Sequence, residues 1–431
     1  MSGAQAARGT DPPTRLARRL GTADAVVIGL GSMVGAGIFA AVGPAAEAAG
    51  AGLLIGLGVA AIVACANATS SAQLAAVHPV SGGTYAYGRR QLGDFWGFAA
   101  GWAFVIGKTA SCGALALTIG RYAAPGAVRL VAIAAVVVLT AVNYRGIRKT
   151  AATTWPMVAF VVAVLGLFVL LAWISGSGDV NNLDVCTGGH GVFDVFRSGA
   201  LMFFAFAGYA RVATLGEEVV DPARTIPRAM SISVGLALTV YAAVSVAALW
   251  VAGAHTLATA PAPLEAAARL SGHAFLGPVM RVGATVAAVG VLLSLLAALS
   301  RMVFAMSADR TLPNAGAAVH PRFRVPHRAQ VAVGLVVALV AAFAPLEDAV
   351  ALSAFTVLLY YAITNAAALT LRPDQRRWPR WVAWLGLTGC VGLASTLPVS
   401  VVGIGIGLLA VGGATHLTRR SQPRGSKGAE V

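Results

Sequence analysis

Long apolar runs alternate with short polar, Arg-rich and Gly/Pro-rich interruptions along almost the whole chain. A helix of about 20 apolar residues crosses the hydrocarbon core of a bilayer. Cutting the sequence at its charged and Pro/Gly-rich joints therefore predicts twelve membrane-spanning helices. They fall near residues 23–45, 53–77, 95–123, 128–144, 150–174, 193–213, 228–251, 274–300, 330–343, 349–371, 381–397 and 399–417. The Leu397-Pro398 joint leaves room only for a tight turn between the last two.

Composition supports this reading: 58% of the 431 residues are hydrophobic and only 11% are charged, against about a quarter charged in a soluble domain. Lipid, rather than water, must solvate most of the surface. Basic residues outnumber acidic ones 31 to 16, which raises the question of nucleic acid. The basic residues instead cluster at the ends of apolar spans, with no patch interleaved with aromatics, so no nucleic-acid partner is expected.

Their placement orients the chain. With the N-terminus inside, cytoplasmic segments collect 24 of the 31 Lys and Arg residues, and Arg121, Arg129, Arg197, Arg269 and Arg281 are left outside. The excess predicts that both termini are cytoplasmic, with tails at residues 1–22 and 418–431 around a membrane-embedded domain at 23–417 in the plasma membrane. The stretch through Arg19 is polar and Arg-rich and lacks the apolar core of a signal peptide. Cys65, Cys112 and Cys390 lie inside apolar spans and Cys186 in a polar loop, a distribution with neither a disulfide framework nor a CxxC metal spacing. No cofactor or metal is expected.

Two spans are interrupted. The first reads Val27-Ile28-Gly29-Leu30-Gly31-Ser32-Met33-Val34-Gly35-Ala36-Gly37-Ile38-Phe39, with four glycines at mid-membrane depth. Each Gly costs about 1 kcal/mol against Ala in a helix interior, so the run invites unwinding, which hydrocarbon does not tolerate unless the backbone lines a polar cavity. Free N–H groups at Gly35, Ala36 and Gly37 then suit a carboxylate, and carbonyls of Ser32 and Met33 suit an ammonium or a cation. The competing reading is close helix packing through small residues. Span six carries a similar run, Phe203-Phe204-Ala205-Phe206-Ala207-Gly208-Tyr209. Gly-interrupted segments opening two five-helix halves, 23–174 and 193–371, point to an inverted-repeat transporter with its substrate between the breaks and two added helices at 381–417.

These two runs resemble the first and sixth helices of the amino acid, polyamine and organocation (APC) transporters. Two further segments are similar to family signatures: Glu217-Glu218-Val219-Val220-Asp221-Pro222-Ala223-Arg224-Thr225-Ile226-Pro227-Arg228-Ala229, and Ser300-Arg301 through Thr311-Leu312-Pro313 with His320-Pro321-Arg322-Phe323 after it. The resemblance runs from about residue 20 to about residue 415. It implies an all-α, five-plus-five inverted repeat and secondary active transport of an amino acid by alternating access. It assigns the substrate carboxylate to the N–H groups of Gly35, Ala36 and Gly37. The ammonium goes to carbonyls around Phe204, Ala205 and Ala207, with Phe206 or Phe204 as the aromatic gate. Small side chains at Ala205 and Ala207 leave the pocket apolar, which favours a neutral or modest-sized amino acid over a strongly charged one.

Several charges need an explanation. Lys108 stands about 13 residues into span three, hence about 20 Å deep, where an ammonium costs several kcal/mol. It is a candidate for proton coupling; the alternative is a structural lysine bonded to carbonyls of a broken helix. Arg211, near the cytoplasmic end of span six, is a candidate gate residue or substrate contact, with Asp24, Glu217 or Glu218 as partner. Glu217 and Glu218 with Arg224 and Arg228 read either as a gate or as a solvated loop. His78, His320 and His327 read as scattered loop residues.

Other functions fit less well. An intramembrane hydrolase needs a nucleophile with a base, or metal ligands, at depth, and a channel needs charged rings or carbonyl filters; the spans supply neither. Within transport, exchange of one solute for another and carriage of a polyamine stay open, although a polyamine would call for acids at mid-depth.

Overall fold

Every backbone N–H and C=O inside hydrocarbon needs a partner within the protein, and a helix supplies it locally. The computed structural model, which describes residues 20–35, 37–78, 82–146, 151–185, 189–216 and 218–420, is accordingly helical almost throughout, with a single isolated β-bridge between Leu20 and Val219. Sixteen α-helices follow in order: α1 Thr22–Val34, α2 Gly37–Ala49, α3 Leu53–Val77, α4 Thr84–Gln91, α5 Asp94–Ala123, α6 Val128–Tyr144, α7 Ala151–Ile174, α8 Val192–Phe206, α9 Ala210–Ala213, α10 Pro222–Thr259, α11 Pro263–Leu270, α12 Leu276–Ala308, α13 His327–Phe343, α14 Leu346–Leu369, α15 Arg380–Ser395 and α16 Val399–Arg420.

Nine stretches of the described residues are long and apolar enough to cross a membrane. The first of them, Thr22–Val77, contains α1, α2 and α3; α13, with 17 residues, and α15, with 16, are shorter. The chain is thus an all-α, multi-pass membrane protein. The turn between α15 and α16 occupies only residues 396–398, as the Leu397-Pro398 joint requires.

Several boundaries differ from the hydropathy reading, each for a local reason. The span expected at 228–251 begins six residues earlier, because Pro222 sits in the first helical turn, where its missing N–H is no loss. It runs on to Thr259 through a kink at Gly253, whose φ is 71°. The span expected to end at Ser300 continues to Ala308; Arg301 and Ser307 interrupt the hydropathy without interrupting the helix, which stops only before Thr311-Leu312-Pro313. The short helices α4 and α11, too polar to register as spans, lie at opposite ends of the molecule. Residues 1–19 and 421–431, which make up most of the expected tails, lie outside the described residues, as do Ala36, Cys186 and Glu217. Cys65, Cys112 and Cys390 are free thiols.

Long-range pairs respect the alternation of the spans. At one end, Arg89 meets Asp309 at 3.0 Å and the Arg377 guanidinium donates to the Ala223 carbonyl at 2.6 Å. At the other, Arg121 meets Glu347 at 2.7 Å, and Glu265 bonds Arg269 at 2.8 Å and stands 3.7 Å from Arg281. The two groups are separated by the length of α5, about 45 Å at 1.5 Å per residue. The histidines are less scattered than they look in sequence: His320 and His327 stand edge-on to Tyr144 with ring centroids 5.6 and 6.3 Å away.

Candidate functional site

Both predicted breaks are present. Helix α1 ends at Val34, Gly35 forms a turn, and α2 starts at Gly37. Helix α8 ends at Phe206, a 3₁₀ turn covers Ala207–Tyr209, and α9 resumes at Ala210. The interruptions touch each other. A Cβ on Gly37 would stand 2.7 Å from Cβ of Ala205, and one on Gly208 would stand 2.8 Å from the Met33 nitrogen. Real Cβ atoms do not approach so closely, so glycine at these two positions is what lets the broken backbones meet.

Beside this junction lies a chamber of about 960 Å³. At its deep end it is lined by Ser32, Met33, Gly37, Phe204, Ala205, Ala207 and Lys108, with Gly290 and Val291 of α12 opposite. Its lining continues past Arg211, Glu218 and Arg301 to Arg89, Arg90 and Asp309. It stops short of the other end of the molecule, where Phe39 and Tyr122 pack edge to face at 5.7 Å and the Leu264 N–H donates to the Tyr122 hydroxyl oxygen at 3.3 Å.

Of the residues the sequence singles out, Ser32, Met33, Gly37, Phe204, Ala205, Ala207, Lys108, Arg211 and Glu218 line the chamber. Gly35 is buried behind it against Val291. The Ser32 hydroxyl turns back to its own helix, donating to the Ile28 carbonyl at 2.8 Å. Phe206 does not face the chamber; it is buried edge-on against Tyr241 at 5.1 Å, which leaves Phe204 as the aromatic on the wall.

Lys108 is 6% exposed and its Nζ lies 3.4 Å from the carbonyl oxygen of Ala207, the first residue of the 3₁₀ turn. The lysine thus faces the chamber and bonds a carbonyl of a broken helix at once. Arg211 does not pair with Asp24, whose carboxylate instead accepts from the Gly21 N–H at 3.1 Å and the Trp155 Nε1 at 3.3 Å. Among the described residues Arg211 has no carboxylate within 4 Å. Among the described residues Arg224 pairs with Asp221, at 3.8 Å, and both side chains are largely exposed.

Four side chains that the sequence did not single out as site residues, Tyr241, Tyr85, Arg89 and Asp309, bound the chamber or its wall. The Tyr241 hydroxyl, on α10, donates to the Ala205 carbonyl at 2.9 Å and pins the wall beside the break. At the mouth, the Tyr85 hydroxyl and the Arg89 guanidinium both donate to Asp309, at 2.6 and 3.0 Å. Burial, and then the bond to Asp309, push the Tyr85 phenol up to about 12, so it stays a donor. Nothing local in the sequence points from Tyr85 to Asp309, 224 residues away.

Apolar helices, two interruptions in contact and a solute-sized chamber beside them define a helical membrane protein with a candidate small-molecule site. Comparison with known sequences gives it a family: the model of the amino acid permease family matches residues 24–426, and the chain belongs to that family, within the APC superfamily. An uncharacterized transporter of Mycobacterium tuberculosis is 56% identical over 410 residues, covering 95% of this chain and 93% of the relative. The branched-chain amino acid permease BcaP of Bacillus subtilis is 28% identical, covering 88% and 86%. Human cationic amino acid transporter 4 is 29% identical, covering 83% of this chain and 60% of its own.

Proposed function

We propose that the protein is a secondary transporter that carries a small amino acid across the plasma membrane by alternating access, with proton coupling through Lys108. The observation that carries this reading is the contact of the two helix breaks at the deep end of a chamber whose lining reaches one end of the molecule only. The N–H groups that open α2 have no partner within that helix and favour a carboxylate; Gly35, Ala36 and Gly37 are assigned to it, and the carbonyls of Phe204, Ala205 and Ala207 form the opposite side of the site.

In this reading the helices form twelve spans, with α1 to α7 and α8 to α14 as the two inverted repeats and both termini cytoplasmic. The chamber then opens inward. Phe39, Tyr122 and Glu265 close the outside, while Arg211, Glu217 and Glu218 are assigned to the inner gate. Lys108 carries the coupling proton because an ammonium at that depth, with no carboxylate partner among the described residues, is costly to hold and is given up readily.

The test is uptake of a radiolabelled amino acid panel into liposomes containing the purified protein, with and without an inward proton gradient. Gradient-stimulated uptake that disappears in Lys108→Ala supports both transport and coupling. Full pH-dependent uptake by Lys108→Ala removes the coupling assignment, and uptake that requires internal amino acid makes the protein an exchanger.

A further inference from the structure

The substrate site carries more positive charge than an amino acid zwitterion needs. Among the described residues its deep end holds one charged side chain, Lys108, which faces the chamber with a backbone carbonyl as partner, 3.4 Å away. The other cations on the wall are Arg211, Arg301, Arg89 and Arg90, and the acids are Glu218 and Asp309. Asp309 is already shared by Arg89 and Tyr85. It also lies 18 residues beyond Val291 along α12, about 27 Å from the junction. Among the described residues, Lys108, Arg211 and Arg301 are therefore offset by Glu218 alone.

The carbonyls assigned to a substrate ammonium point the same way. The Phe204 oxygen accepts the Ala207 N–H, the Ala205 oxygen accepts the Tyr241 hydroxyl at 2.9 Å, and the Ala207 oxygen accepts the Lys108 ammonium. Each already has a donor from the protein. The lysine thus stands where an ammonium would stand and brings its own uncompensated charge to a low-dielectric site, where an unpaired ion is costly. An incoming carboxylate relieves that cost; a second ammonium increases it.

We propose that the central site selects a carboxylate whose charge is not balanced by an ammonium on the same molecule, with Lys108 as its counter-ion and Arg211 and Arg301 drawing it in from the mouth. The proposal rests on the transport reading above. Two sources supply this chemistry: the second carboxylate of an acidic amino acid, or the carboxylate of a short acid that lacks an amine.

The experiment measures uptake of labelled aspartate, glutamate, leucine, arginine and pyruvate into proteoliposomes, beside thermal stabilisation of the detergent-solubilised protein by the same five compounds. Aspartate, glutamate or pyruvate should exceed leucine and arginine at least tenfold in uptake and should raise the melting temperature where the others do not. Stimulation by aspartate and glutamate identifies the acidic amino acid, and by pyruvate the amine-free acid. Lys108→Gln should lose the preference while Lys108→Arg retains it, and the melting temperatures of both variants report whether they fold. Leucine or arginine taken up as well as the acids, or an anion preference that survives Lys108→Gln, overturns the proposal and leaves the transport reading intact. Neither uptake nor stabilisation by any of the five overturns both.

Discussion

Gly37 and Ala205 stand in van der Waals contact across the junction of the two broken helices, so close that a Cβ added to Gly37 would lie 2.7 Å from that of Ala205. Gly208 makes the reciprocal approach to Met33. Gly37→Ala and Gly208→Ala should therefore each force the breaks apart, at a cost of about 1–3 kcal/mol for overpacking, and reduce uptake at least tenfold. Gly58, on the exposed face of α3, has nothing within 4 Å of its missing Cβ. Gly58→Ala should keep full uptake, and equal losses in all three variants would contradict the pairing.

A second contact ties α3 to α14 and α15. The Asn365 amide donates to the Asn67 carbonyl oxygen at 2.6 Å, and the Asn67 amide donates to Cys390 at 3.2 Å, all three buried. Asn67→Ala leaves the Asn365 amide short of a partner and should cost about 1–3 kcal/mol. A double-mutant cycle with Asn365→Ala, read by thermal unfolding in detergent, should give a coupling of about 0.5–2 kcal/mol; additive losses would show that the bond contributes nothing of its own.

Closure of the end opposite the chamber mouth depends on Glu265, a buried carboxylate that accepts two bonds from Arg269 and lies 3.7 Å from Arg281, which itself donates to the Tyr122 carbonyl at 2.8 Å. Breaking a buried pair from one side leaves the other charge uncompensated. Glu265→Gln should loosen this end. In a chain whose four cysteines are replaced, Phe39→Cys should then react severalfold faster with a membrane-impermeant maleimide than it does with Glu265 in place. An unchanged rate would mean that packing, not charge, holds the closure.

At the joint of α3 and α4, His78 lies 2.9 Å from the Gln91 side-chain nitrogen and 3.5 Å from Arg90. Burial, and then the charge of Arg90, hold its pKa below the usual 6.5. The charged form is the disfavoured one, so the contribution of the joint to stability is complete above about pH 6.5 and is lost as pH falls through the lowered value. NMR titration of labelled histidine should find a midpoint below 6.5 that rises part of the way back in Arg90→Ala. A midpoint at or above 6.5 in the unaltered protein would contradict the placement.

What the sequence determined by itself is what depends on neighbours along the chain. Helix existence follows from runs of apolar residues long enough to cross lipid, and the interruptions at Gly35–Gly37 and Ala207–Tyr209 follow from the local cost of glycine in a helix. The depth of Lys108 follows from counting residues along α5. Only the tertiary structure decided the rotation and ends of the helices, because those are set by what packs against them. It turned Phe206 into a buried contact with Tyr241 and left Phe204 on the chamber wall. It separated Arg211 from Asp24 and carried α12 past Arg301, whose charge lowers hydropathy without weakening helix propensity. It also brought Tyr85 to Asp309, and Lys108 to the carbonyl of Ala207, 99 residues along the chain. No pattern within a single segment encodes either meeting, since each depends on how separate helices are set side by side.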